Sequence, residues 1–214
     1  MEQDPQHEQQ QEHKKELEQH EVQEVLGFLK RYGTLIGAGV LAAAAVILIN
    51  RGCAHMKTSR QVQADQMLQM AQTTEQIAAV AEKYKSTPVG EIALLDLAKA
   101  FYNAGDYAAA RDRYNEFLKN YKKSIRKPVA EIGLAFCTEA DGNFAVAAEE
   151  YKAFINTYPN DQLTALAVLG MARSYEQAGN IDDARIALED FLTDNPRSPW
   201  TRSAETALTG LNTK

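Results

Sequence analysis

Three glycines, Gly105, Gly142 and Gly179, stand 37 residues apart, and many other positions keep the same spacing. It relates Ala98, Ala135 and Ala172; Ala110, Ala147 and Ala184; and Phe117, Phe154 and Phe191. It also relates Leu97, Leu134 and Met171; Tyr114, Tyr151 and Leu188; and Tyr107, Phe144 and Ile181. So many columns at one period point to a stacked array in which each unit buries its apolar face against the next.

Each unit reads as two helices. The first carries apolar residues at helical spacing (Leu94, Leu97, Ala98, Phe101), and the glycine ends it where a positive φ is useful. Asp106, Asn143 and Asn180 follow the glycines and are placed to cap the second helix. The alanine columns mark helix contacts too close for a larger side chain. The units close on Tyr121-Lys122, Tyr158-Pro159 and Asn195-Pro196, giving repeats over about 91–124, 125–161 and 162–198. Residues 57–86 read as a degenerate unit, with Ile77, Val80 and Tyr84 in register and the turn at Thr73-Thr74 lacking glycine. Residues 199–211 read as a capping helix, with Ser198 as N-cap and Pro199 at its first position.

The rest of the chain is organised differently. Residues 1–24 hold eight acids and two bases, and 25–214 hold 21 of each sign, so the net charge of -6 belongs to the tail. The remainder has no field for steering nucleic acid. Residues 32–50 contain no charged residue; nineteen residues at about 1.5 Å each give roughly 28 Å, close to a hydrocarbon core of about 30 Å. With Arg31 and Arg51 bracketing the run, this predicts one uncleaved transmembrane helix between a tail of 1–31 and a repeat domain of 51–214. Gly33 and Gly37 form a GxxxG, from which a homo-oligomer paired through the anchor is expected. Flanking charge does not fix orientation: Lys14, Lys15, Lys30 and Arg31 face Arg51, Lys57 and Arg60.

The chemistry inventory is sparse. The histidines are His7, His13, His20 and His55, and none occurs from Met56 to Lys214. Cys53 and Cys137 are 84 residues apart with no ligand-like neighbours, which argues against a zinc site or a disulfide framework. Cys137 lies among apolar neighbours and reads as core. No HExxH, GxSxG, P-loop or dinucleotide fingerprint is present. The expectation is a protein without catalytic residues, metal or cofactor.

The columns resemble the tetratricopeptide repeat, most closely in the third unit with Met171, Ala172, Tyr175, Gly179, Ala184, Leu188 and Pro196. The second unit departs from it at Thr138 and Glu131, and the first ends in Lys122 rather than proline. The phenylalanine column, followed by Leu118, Ile155 and Leu192, is similar to repeats of bacterial envelope proteins. The resemblance covers residues 91–198 and implies an all-α helical-hairpin solenoid whose first helices line a concave groove for proteins or peptides. That groove would present Leu95, Lys99, Tyr102 and Asn103 from unit one, and Ile132, Phe136 and Glu139 from unit two. Unit three would add Leu169, Arg173, Glu176 and Gln177. The Lys/Asn/Arg set with which some relatives clamp a terminal carboxylate is not reproduced there, which argues against recognition of chaperone C-termini.

The order of acidic tail, single anchor and small repeat domain resembles the ancillary subunit of the bacterial SecYEG translocon. That resemblance implies an inner-membrane protein with a cytoplasmic N-terminus and periplasmic repeats, holding periplasmic chaperones or exported chains near SecYEG. Two other readings stay open: a scaffold for outer-membrane or cell-wall assembly, and a membrane-tethered cytosolic scaffold.

Overall fold

The computed structural model describes residues 30–34, 38, 39, 41, 43, 45–49, 51, 56 and 58–213. The chain divides into two units, Met1–Arg60 and Gln61–Lys214. In the first unit the described residues are helical, and Leu41, Val46, Ile47, Leu48 and Ile49 are each more than half exposed. Among the described residues no helix is long and apolar enough to cross a membrane. Several residues of the predicted anchor lie outside the described residues, as do the acidic tail, Gly37, Cys53 and the four histidines.

The second unit is a run of helix hairpins. After α1 (61–70) come α2 (Thr74–Lys83), α3 (Pro88–Asn103), α4 (Tyr107–Asn120), α5 (Lys127–Ala140) and α6 (Phe144–Thr157). They are followed by α7 (Thr164–Gln177), α8 (Ile181–Asp194) and α9 (Thr201–Asn212). Each helix packs on the next, while α3, α5, α7 and α9 also touch in sequence. The first helices of successive repeats therefore form one layer and the second helices another, the arrangement of a tetratricopeptide-like solenoid.

Two kinds of turn repeat with the sequence. Gly105, Gly142 and Gly179 have φ of 81°, 79° and 85°, and an added Cβ would meet nothing within 4 Å at any of them, so backbone conformation alone selects glycine. The amide of Asp106 donates to the Phe101 carbonyl and that of Gly105 to the Tyr102 carbonyl, both at 3.0 Å. The same pair of bonds closes α5 and α7, the Schellman arrangement in each repeat. Asp106, Asn143 and Asn180 occupy the N-cap positions of α4, α6 and α8. Only Asp106 among the three caps with its side chain, accepting from Ala109 N at 3.0 Å; the two asparagines make no such bond.

Between repeats a polar column shapes the turn. The amides of Thr87, Ser124, Asp161 and Ser198, 37 residues apart, donate to the carbonyls of Tyr84, Tyr121, Tyr158 and Asn195. Their side chains then accept from an amide two or three residues on: Gly90, Arg126, Leu163 and Trp200. This corrects the start of the last helix. Ser198 closes the turn rather than capping α9, and Trp200 is the N-cap.

The same register shows what α9 is. Ala93, Ala130, Ala167 and Ala204 are 37 apart and all fully buried, so α9 is the first helix of a further repeat rather than an unrelated cap. At the other end α1 and α2 form the degenerate hairpin. Its glycine is replaced by a capping box in which Thr73 and Gln76 bond each other's backbone amides at 3.4 Å. Val80 of α2 and its C-cap residue Tyr84 are buried against α3, and Phe117, Phe154 and Phe191 fill successive inter-helix grooves.

Candidate functional site

The layer formed by α3, α5 and α7 carries the predicted groove residues, and they fall into columns. Lys99, Phe136 and Arg173 share one position, and Tyr102, Glu139 and Glu176 the next turn of the same face. Lys99 and Arg173 are exposed; Tyr102, Phe136, Glu139 and Glu176 are half-buried. Asn103 and Gln177 are exposed at the ends of α3 and α7.

Leu95 and Ile132 require correction. They are only 8% and 3% exposed and belong to the core, because the first helices pack directly on one another and cover this column. Leu169, in the same column, remains half-buried and lines a hollow described below.

At the centre of the face the structure brings together side chains from three repeats. The Phe136 ring lies 6.3 Å from that of Tyr102 and meets Tyr151 edge-on at 5.7 Å. Tyr102 in turn tilts against Tyr107 at 5.3 Å. The Tyr151 hydroxyl donates to Glu139 Oε2 at 2.7 Å, and Arg173 Nη2 donates to the same oxygen at 2.8 Å. Arg173 Nε donates to the other oxygen, so the guanidinium grips the carboxylate with both arms. Burial, then the bond to Glu139, pushes the Tyr151 hydroxyl far above its ordinary range, and that same carboxylate raises Arg173 further. Both groups stay fully protonated at any physiological pH.

Chemically this is an aromatic floor beside a neutralised ion pair, with Lys99 exposed at one side. Because Glu139 occupies the fork of Arg173, the face is not preset to clamp a ligand carboxylate. It suits an apolar or aromatic anchor on a peptide or protein surface, since such anchors dominate binding energy. Among the described residues no group of acids, histidines and cysteines is arranged to hold a metal ion. Cys137, on α5, is fully buried, and burial pushes its thiol up to about 11.

Two members of the site were missed in the sequence. Tyr151 comes from a second helix and is fully buried, yet its ring packs against Phe136 from beneath the groove. A hollow of about 280 Å³ also opens at the α7–α9 end, lined by Leu169, Arg173, Glu176, Leu188 and Ala207. The signal for both was one pair of columns: Tyr114 and Tyr151 pack against Gly133 and Gly170, whereas the matching positions one repeat on are Leu188 of α8 and Ala207 of α9. The shorter Leu188 leaves room where a phenol lies in the preceding repeats.

The comparisons with known proteins agree with this architecture. No curated protein matches the chain. Among solved structures it resembles a Podosopora anserina protein described as a kinesin light chain with nearly identical TPR-like repeats. That match has 16% identity and a TM-score of 0.56, covering 72% of this chain and 84% of the other. A second crystal structure of the same repeats gives a TM-score of 0.55 over the same shares. At this identity the likeness speaks to fold alone. A tetratricopeptide repeat model matches residues 166–198, and the model of the tetratricopeptide repeat-like domain matches residues 27–153. The chain therefore belongs to the tetratricopeptide repeat-like family.

Proposed function

We propose that the chain is a membrane-anchored, non-catalytic interaction module accessory to the bacterial Sec translocon. In this reading its repeats lie in the periplasm and hold chaperones or emerging chains close to SecYEG. The observation that carries the interaction role is the convergence of Tyr102, Phe136 and the Glu139–Arg173 pair, from three successive repeats, on one accessible face. Membership of the repeat family supports protein binding as the use of that face. The uncharged run 32–50 supports the anchor, together with the exposure of its described apolar residues (Leu48 is 70% exposed). In water such a surface is costly, and in a bilayer it is matched to its surroundings.

The test is to purify the full-length protein from inner membranes in mild detergent and identify what accompanies it. Translocon subunits together with periplasmic chaperones are the expected companions. A periplasmic reporter fused after Lys214 is expected to be active. An inactive reporter overturns the orientation, and co-purification without any translocon subunit overturns the Sec assignment.

A further inference from the structure

Two features on one edge of the repeat domain are not used by the groove. The first is a cleft of about 990 Å³ between α7, α8 and the loops before and after them. It arises where a second tyrosine column breaks. Tyr121 and Tyr158 each lay their ring against the preceding phenylalanine, Phe117 and Phe154, at 5.1 Å. The next member is Asn195, whose side-chain amide turns back to the Phe191 carbonyl at 3.1 Å, and Phe191 lines the cleft instead of a ring covering it. Val168 and Met171 complete an apolar floor, and Trp200, 38% exposed, stands at the rim. The charged residues of the lining are Asp161, Asp190 and Asp194, with no lysine or arginine among them.

The second feature is the α4–α5 loop, the equivalent one repeat earlier of the loop that borders the cleft. Ile125 at its tip is 89% exposed, the most exposed large apolar side chain among the described residues. Lys122 and Lys123 beside it are exposed too. The loop is held in shape from beneath: Ser124 Oγ donates to Glu91 at 2.6 Å and accepts from the Arg126 amide at 3.1 Å. Arg126 and Lys127 are engaged by Glu91 and Glu131 at 3.7 and 3.6 Å. An apolar tip flanked by two cations is thus presented on a fixed turn, the complement of an apolar floor rimmed by three acids. The acidic residues 1–24 carry the wrong sign to enter that cleft.

We propose that the occupant of the cleft is the α4–α5 loop of a second copy of this chain. Ile125 enters the apolar floor, and Lys122 and Lys123 meet Asp190 and Asp194. Loop and cleft stand on the same edge of the solenoid, so a two-fold axis inserts both loops at once and closes the assembly as a dimer. The contact is electrostatically steered and weakens as salt screens it.

The test uses paired charge reversal in the full-length chain in mild detergent, every chain carrying Gly33→Ile and Gly37→Ile to remove pairing through the anchor, with association followed by sedimentation at tens of micromolar. All four reversed side chains are exposed, so folding is not at issue. One chain carries Lys122→Glu and Lys123→Glu, the other Asp190→Lys and Asp194→Lys. Each alone sets like charges against each other and is expected to dimerise at least about tenfold more weakly than the unreversed chain. Mixed in equal amounts they present opposite charges at both contacts, and the dimer returns. Ile125→Asp is expected to abolish it. An unreversed chain that stays monomeric overturns the proposal and leaves the cleft to a different partner. A dimer that survives in either reversed chain alone, or mixed chains that stay apart, overturns it as well.

Discussion

The ring of Tyr151 lies so close over Gly170 that a β-carbon on the glycine would come within 2.6 Å of the phenol Cζ. Tyr114 stands over Gly133 in the same way, with 2.4 Å to Cζ. Each pair joins the second helix of one repeat to the first helix of the next, so the stacking of units depends on a missing side chain. Gly170→Ala is expected to destabilise the domain by about 1–2 kcal/mol. Overpacking against a rigid ring costs about 1–3 kcal/mol, and the better helix propensity of alanine returns part of it. The next junction, between α8 and α9, already contains the compensated combination, Leu188 with Ala207. The double change Tyr151→Leu/Gly170→Ala is therefore expected to cost at least about 1 kcal/mol less than the sum of its single changes, read from denaturant unfolding.

The glycines of the intra-repeat turns obey a different rule. At Gly142 an added Cβ would meet nothing, so Gly142→Ala is penalised only by the left-handed backbone, by about 1–2 kcal/mol. Gly142→Asn is expected to recover part of that loss, because asparagine tolerates this conformation. Thermal unfolding of the two variants separates backbone strain from packing.

These two glycine classes also show how much could be read in the sequence. A 37-residue spacing makes Gly105, Gly142 and Gly179 visible, and their Schellman turns follow from the residue type alone. Gly133 and Gly170 are also 37 apart, but unit one has Asp96 and the next repeat Ala207 at that position. Two members do not announce a column, and the partner tyrosine is 19 residues earlier on another helix. The turn column of Thr87, Ser124, Asp161 and Ser198 was hidden because its identity is chemical rather than literal: each side chain simply offers an oxygen to a nearby amide. Leu95 and Ile132 share a helix face with Lys99 and Tyr102, and with Phe136 and Glu139, at i, i+4 and i+7, so periodicity alone groups them with the groove. What buries them is the packing of α3, α5 and α7 on one another, which is tertiary. Lys99, Tyr102, Phe136, Glu139 and Arg173 were legible as one face, yet not the contact of Glu139 with Tyr151, which is tertiary.

The Glu139–Arg173 pair ties repeat two to repeat three. Arg173 is about half exposed, which limits what the pair contributes, but the two-armed geometry and the added Tyr151 hydroxyl raise it above an ordinary surface pair. A double-mutant cycle of Glu139→Ala and Arg173→Ala is expected to give a coupling of about 1 kcal/mol. High salt reduces that coupling only partly, since Glu139 is 12% exposed.

Alkaline pH should unfold the domain before it ionises its buried groups. Burial raises Cys137 from 9.0 to about 11 and Tyr114 from 10.0 to about 12. The folded state holds these protons more tightly than the unfolded state. The contribution of these two groups is therefore fully present below about pH 9 and is lost as pH rises toward 12. In a Cys53→Ser chain, Cys137 is expected to resist thiol reagents at pH 8 and to react once the domain is unfolded. Tyrosinate absorbance from the buried rings should appear together with loss of helix rather than before it.

The central claim is that the face built by Tyr102, Phe136 and the Glu139–Arg173 pair is where a protein partner sits. The most direct measurement places a photo-crosslinking side chain at position 102 in the full-length protein in cells, with position 186 on the outer face of α8 as the comparison. Crosslinks from 102 to a translocon subunit, a periplasmic chaperone or an exported chain, diminished by Arg173→Glu and absent from 186, are the predicted result. No crosslinked protein from 102, or the same proteins captured equally from 186, would contradict it.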